Sequence, residues 1–198
     1  NFDLTLGSLD LGTSTQPTRN GVMNSGSSTI TIIGNVTITD ATVGRQNTFN
    51  GDSASIFVGG SWIVQTAEAV PGIFNPGTST VTFNATSGSP TIISAGNTFN
   101  DVIFNDAGSN RIFTLEDAFN VDGDLTITGG TLDTKTGENN SINIAGDFVN
   151  SDTFVSRSGT VTFDGTAAQS VNAGGTGIGV DDASNDFNNV TISNTAAA

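Results

Sequence analysis

The side chains that could do acid–base chemistry in this sequence are carboxylates, because the chain contains no His and no Cys. Without an imidazole or a thiol, the usual serine and cysteine nucleophile pairs cannot form, and a histidine-ligated zinc site is excluded. Candidate carboxylate pairs occur at Glu116 and Asp117, at Asp122 and Asp124, and at Asp181 and Asp182. A polysaccharide-cleaving site would need two such groups, or a basic residue, in one groove. Neither spacing nor neighbours single out a pair, and surface charges are mostly solvated, so we predict that the protein is not an enzyme.

Calcium binding is the second chemistry that these carboxylates suggest. The segment 181–186 (DDASND) would offer Asp181, Asp182 and Asp186 as hard oxygen ligands, which Ca²⁺ prefers. It matches neither an EF-hand loop nor the GGxGxD repeat of calcium-binding solenoids, and Asp and Asn also close turns without metal. We therefore predict no required cofactor, with Ca²⁺ at these three residues as the alternative.

Threonine pairs of the form Thr-x-Thr are a third candidate surface. They occur at Thr29 and Thr31, Thr37 and Thr39, Thr80 and Thr82, Thr126 and Thr128, and Thr160 and Thr162. A flat array of outward threonines could order water and bind ice. Alternation also places Thr on the wet face of any half-buried strand, which is the simpler interpretation.

Short strands must position all of these side chains. Runs of four to six alternating residues recur at roughly ten-residue intervals, with Gly, Asn or Asp between them, and no run has helical periodicity. The 25 Gly and 13 Phe also favour many strands joined by tight turns. The sequence therefore predicts an all-β protein, either a β-solenoid or two stacked β-sandwich or barrel modules.

A long internal repeat favours the solenoid. Residues 123–133 (GDLTITGGTLD) resemble residues 34–44 (GNVTITDATVG), 89 positions earlier, and Phe148 and Phe163 then match Trp62 and Phe83. We predict two repeats of about 80–90 residues, modules 28–117 and 118–198, preceded by an N-terminal strand and linker over residues 1–27. Stacked coils would place the matched aromatic residues at corresponding positions of one core column.

The motifs themselves carry a resemblance. GDLTITGGTLD, GTVTFDGT at 159–166 and FNNVTI at 187–192 are similar to motifs that tile large secreted bacterial surface proteins. These are the β-solenoid adhesins of the autotransporter-passenger and filamentous-haemagglutinin-like types. The resemblance covers about residues 28–195, implies adhesion or structure at the cell surface, and brings no catalytic residues.

The second repeat lacks a counterpart of the strand at 111–115, whereas the N-terminus carries an additional apolar strand at 2–6. Adding that strand to the next subunit, beside 189–192, would build an open head-to-tail fibre. The alternative is that it pairs within its own chain as a cap. The predicted self-assembly residues are Phe2, Leu4, Leu6, Leu9, Leu11, Val190 and Ile192.

Composition restricts the partners and the location. The net charge is −14 with five Lys and Arg, so nucleic acid and anionic membranes are rejected as partners, and no apolar run is long enough to insert into a membrane. The absence of thiols and the Thr, Asn and Gly content favour an extracellular protein.

We expect a self-assembling structural or adhesive subunit whose partner is a second copy. A carbohydrate-binding or carbohydrate-cleaving β-helix, suggested by Trp62 and the acidic loops, would instead contact surface glycans; ice binding is the third candidate.

Overall fold

The computed structural model of the chain describes residues 3–12, 21–39, 46–66, 70–106, 111–174 and 186–196. Its 23 strands form parallel sheets that stack as a β-solenoid, so the predictions of an all-β class and of a solenoid are confirmed. In these ranges there is no helix at all, and hence none of membrane-spanning length and hydrophobicity.

Each of the first seven coils of the solenoid contributes one strand to each of three faces, named A, B and C in the order in which the chain visits them. Face A contains β1 (Asp3–Leu6), β4 (Thr29–Ile32), β7 (Ser55–Val58), β10 (Thr80–Phe83), β13 (Asp101–Asn105), β16 (Leu125–Gly129), β19 (Phe148–Asn150) and β22 (Val171–Asn172). Face B contains β2 (Leu9–Leu11), β5 (Val36–Ile38), β8 (Trp62–Val64), β11 (Thr91–Ile93), β14 (Ile112–Leu115), β17 (Thr131–Asp133) and β20 (Thr153–Val155).

Face C has two parts. The first is β3 (Val22–Asn24), β6 (Thr48–Asn50) and β9 (Ile73–Asn75), and the second is β12 (Thr98–Phe99), β15 (Phe119–Val121), β18 (Ile142–Ile144), β21 (Thr160–Phe163) and β23 (Asn189–Ile192). The Phe74 amide donates to Oδ1 of Asn97 at 2.9 Å, which joins the two parts where the strand ladder is interrupted.

The structural repeat is one coil, which is much shorter than the predicted repeats. Along face A, Leu4 pairs with Ile30 and Ile30 with Ile56, each 26 residues further on, and later steps shorten to between 21 and 25 residues. The ladder of face A continues across residue 117, and the division into modules 1–27, 28–117 and 118–198 stays a prediction.

The aromatic residues matched in sequence do not occupy corresponding positions, which corrects that expectation. Trp62 lies on face B and Phe148 on face A, while Phe83 lies on face A and Phe163 on face C. The physical reason is that a glycine followed by an alternating strand serves on every face: Gly34 precedes β5 on face B, Gly123 precedes β16 on face A and Gly159 precedes β21 on face C. Copies of the motif therefore recur on all three faces.

The core is a continuous column of inward side chains. On face A it begins with Leu4 and Leu6, continues through Ile30 and Ile32, and reaches larger residues further along, as strand alternation requires. The largest side chains that are fully buried are Trp62, Phe49, Phe83, Phe99, Phe104, Phe113, Phe119, Phe148 and Phe154. Fully burying one such side chain contributes roughly 1.5–3 kcal/mol.

Ring contacts divide this column into two clusters. In the first cluster, Trp62 meets Phe99 with centroids 5.1 Å apart, and contacts between rings extend from Phe49 to Phe119. In the second cluster, Phe187 packs on Phe148 at a centroid distance of 5.4 Å and also contacts Phe154 and Phe163. Residues 125–147, between the two clusters, contain no aromatic residue.

Close packing at the corners explains why glycine recurs there. A Cβ on Gly34 would lie 2.7 Å from the carbonyl oxygen of Gly7, and one on Gly60 would lie 2.7 Å from the carbonyl carbon of Gly34. Neither distance is tolerable for a carbon atom, so these corners stack closely only because a side chain is missing.

A ladder of aspartates links successive coils at the corner between faces C and A. Oδ1 of Asp101 accepts the Asp124 amide at 2.9 Å, and Oδ1 of Asp124 accepts the Asp147 amide at 2.8 Å. Oδ1 of Asp147 accepts the Ser170 amide at 2.7 Å. Each carboxylate therefore satisfies a main-chain donor of the next coil at a point where the chain turns.

Candidate assembly surfaces

The first end of the stack is formed by β1, β2 and β3, which are the terminal strands of their sheets. One edge of each is paired, β1 with β4 for example, and within the described ranges the other edge has no partner strand. Leu4, Leu6 and Leu11 point inward but are only half-buried, whereas the equivalent residues in the next coil, among them Ile30, are fully buried. Among the residues that the structure describes, this end is therefore an apolar cross-section with no further coil on it.

The opposite end is formed by β22 and β23, with β20 as the last described strand of face B. Val171, Val190 and Ile192 are 45%, 48% and 68% exposed, although all three continue inward columns of their faces. Phe187 half-covers the interior beneath them. In the described part of the chain, this end also has strand edges without a partner strand, together with exposed apolar side chains.

The structure places the predicted self-assembly residues at these two ends. Leu4, Leu6, Leu9 and Leu11 lie at the first end, Val190 and Ile192 lie at the opposite end, and Phe2 lies outside the described residues. The first strand pairs within its own chain, beside β4 on face A, as the alternative interpretation of the sequence states, and β23 lies on face C. Addition of this strand to β23 of another subunit stays a prediction. If a second copy continued the solenoid along the same axis, its β1 would pair with β22 and its β3 with β23. Met23 and Val171 would then also lie in the contact. Sequence reasoning overlooked these two residues because strands of two or three residues give almost no periodic signal.

Three of the candidate acidic residues, Glu116, Asp117 and Asp124, have structural partners. Asp117 accepts the Ser94 amide at 2.9 Å and the Ala95 amide at 2.5 Å, and Asp124 belongs to the aspartate ladder. Asp181 and Asp182 lie outside the described residues, and the carbonyl of Asp186 accepts the Ser156 hydroxyl at 2.8 Å. No group of three metal-ligating side chains occurs in the described ranges. Calcium at 181–186 stays a prediction.

One cluster of ion pairs lies on the outer side of face B and its following corner. Arg157 donates two hydrogen bonds to Asp133, at 2.9 and 2.7 Å, and these bonds hold the pKa of the Asp133 carboxyl below its ordinary value. Lys135 lies 2.6 Å from both Glu116 and Glu138, and its hydrogen bonds to these carboxylates, chiefly that to Glu116, raise its pKa. Two of these pairs, Arg157 with Asp133 and Lys135 with Glu116, link neighbouring coils, so the cluster fastens the stack.

The threonines are distributed over all three faces. Along the outward column of face A, Thr5 and Thr31 are followed by Phe57, and Ile103 and Val149 interrupt the column again further on. The described surface therefore has no uninterrupted threonine rank along this column. Ice binding stays a prediction without a regular array to support it.

Trp62, which suggested a sugar-binding platform, is fully buried in the aromatic core. Its ring packs on Phe74 at a centroid distance of 4.7 Å, and its indole N–H has no hydrogen-bond partner. A buried ring cannot stack on a glycan, so this residue gives no support to the carbohydrate hypothesis.

Comparison of the chain with protein-family models, with curated proteins and with solved structures finds no match. The class that the fold defines is a three-faced parallel β-solenoid.

Proposed function

We propose that the chain is a non-enzymatic structural subunit that stacks end to end with copies of itself into a filament. The observation that carries this proposal is that both ends of the described stack present unpaired parallel strand edges around an apolar cross-section. Such edges are normally paired, covered or blunted by charge, since they otherwise recruit further strands. A second copy supplies the missing neighbour at both ends at once.

Burial at the ends supplies the free energy. Covering Val171, Val190 and Ile192 on one end and Leu4 and Leu6 on the other removes apolar surface from water, worth roughly 25 cal/mol per Å². The strand edges add main-chain hydrogen bonds. The opposing term is repulsion between chains of net charge −14, which salt screens. Assembly should therefore increase with both protein concentration and ionic strength.

The cell-surface and adhesive parts of the proposal rest on a different basis. They follow from the resemblance of the motifs at 123–133, 159–166 and 187–192 to those of secreted bacterial surface proteins. Immunogold labelling of intact cells that express the native protein tests the location, and labelling confined to the cytoplasm would remove it.

A matched pair of variants tests the assembly. Ile192→Asp introduces a charge at the exposed end, whereas Ile33→Asp changes a residue of similar exposure, 65% against 68%, at a corner between β4 and β5. We expect negative-stain images and sedimentation velocity to show filaments for the wild type and for Ile33→Asp, and particles for Ile192→Asp. A wild type that stays monomeric at high concentration and high salt would refute the proposal.

A further inference from the structure

The two ends of the solenoid match each other in a single register, and we infer that a second copy docks in that register. The inference rests on the proposed end-to-end assembly and adds which residues meet. On face A, Phe148 pairs with Val171 and Val149 with Asn172. If this ladder continued by one strand into the next copy, Leu4 of that copy would pair with Val171, Thr5 with Asn172 and Gly7 with Gly174.

Gly7 supplies an independent reason to expect a coil beneath it. Gly34 and Gly60 belong to the same corner column, and each is a glycine because a Cβ would collide with the main chain of the preceding coil. A Cβ on Gly7 would meet nothing within 4 Å, and the φ of Gly7 lies outside the left-handed region. Among the described residues of one chain, therefore, no contact requires glycine at position 7. A coil stacked on this end would require it for the same reason as at Gly34.

The side chains of the two ends are compatible in this register. Leu4 and Leu6 are half-buried and inward, and they continue the column that ends in the exposed Val171. Gly174, which would lie under Gly7, has no side chain to obstruct the corner. A copy turned end over end would instead pair β1 with β1 or β22 with β22 antiparallel. Either contact would use one end of the solenoid only and would leave the other end of each copy uncovered.

Engineered cysteines test the register directly, because the native chain has none. Thr5 and Asn172 both point outward on face A, and paired residues on adjacent strands are about 4.8 Å apart, within the range that a disulfide spans. Under mild oxidation, filaments of the Thr5→Cys/Asn172→Cys variant should become covalent ladders in denaturing gels, whereas neither single variant should. Cross-linking of Asn172→Cys alone would overturn the inference in favour of an end-over-end contact. Preferential cross-linking of Asp3→Cys/Asn172→Cys would overturn it in favour of a shifted register.

Gly7→Ala tests the corner. The added methyl group faces open space in the single chain, so the melting temperature of the unassembled protein should not change, while the critical concentration for assembly should rise at least tenfold. Gly34→Ala should instead destabilise the single chain, because its Cβ would collide with the preceding coil. Wild-type-like assembly of Gly7→Ala would overturn the proposed contact while leaving end-to-end assembly intact. If the wild type forms no filaments, the proposed function itself fails.

Discussion

Replacing Asp124 separates two opposing effects of the aspartate ladder. Its carboxylate accepts the Asp147 amide at 2.8 Å, which stabilises the junction between two coils. It also lies in register with the carboxylates of Asp101 and Asp147, which repel it. Asp124→Asn keeps an acceptor oxygen and removes the charge. Asp124→Ala removes both, so the two variants share the electrostatic change and differ by the hydrogen bond.

The magnitudes follow from the coil spacing. Two charges about 4.8 Å apart in water repel by roughly 0.9 kcal/mol, and Asp124 has two such neighbours. Physiological salt reduces this repulsion to about half. A hydrogen bond contributes about 1 kcal/mol net. In physiological salt, Asp124→Asn should therefore be about 1 kcal/mol more stable than the wild type, and Asp124→Ala should be about 1 kcal/mol less stable than Asp124→Asn and so close to the wild type.

Urea denaturation followed by circular dichroism, at low and at high salt, measures both effects. Between about 10 mM and 1 M salt the wild type should gain about 1 kcal/mol more stability than either variant, because only the wild type has repulsion at this position to screen. Equal stabilities of Asp124→Asn and Asp124→Ala would show that the hydrogen bond contributes nothing. Equal salt dependence of all three proteins would refute the electrostatic part of the reasoning.

The other predictions concern packing, a corner and an ion pair. Phe99→Ala should lower the free energy of unfolding by about 3–5 kcal/mol, because the ring is fully buried. Phe57→Ala removes an outward ring and should lower it by about 1 kcal/mol or less. Urea denaturation compares the two variants. Gly146→Ala should cost about 2 kcal/mol or more, because its Cβ would overlap the preceding coil, and thermal melting tests this. The pKa of Asp133 is lowered in the folded state, so its pairing with Arg157 stabilises the protein above about pH 4, and this stability is lost as the pH falls through the lowered pKa. Asp133→Asn should therefore lose less stability than the wild type between about pH 5 and pH 2, and parallel pH profiles would contradict this role.

The fold class could be predicted because alternation is visible within each strand. Ile30 and Ile32 are buried while Thr29 and Thr31 are not, as the sequence pattern requires. The length of the repeat could not be predicted in the same way. A strand of three or four residues shows which side chains point inward but carries no information about which of the three faces it belongs to. Similar segments therefore match each other in sequence although they lie on different faces.

The candidate sites were predicted only in part, for a related reason. The apolar residues at the first end, Leu4 and Leu6 among them, are recognisable from sequence because they alternate with polar residues. The pairing of Asp133 with Arg157 is not, since these residues are 24 positions apart and become neighbours only through the coil register. Trp62 was misleading because a single aromatic residue in an alternating strand looks the same whether it points inward or outward.

The gap between the two aromatic clusters has a consequence for how the chain unfolds. In a solenoid each coil contacts only its neighbours, so cooperativity passes from coil to coil through the interfaces between them. Across residues 125–147 that coupling relies on aliphatic contacts and main-chain bonds, without rings to bridge the coils. The molecule therefore has a natural point of division. Denaturation should populate an intermediate in which the coils from Phe49 to Phe119 retain slow amide exchange after those around Phe148 and Phe163 have opened.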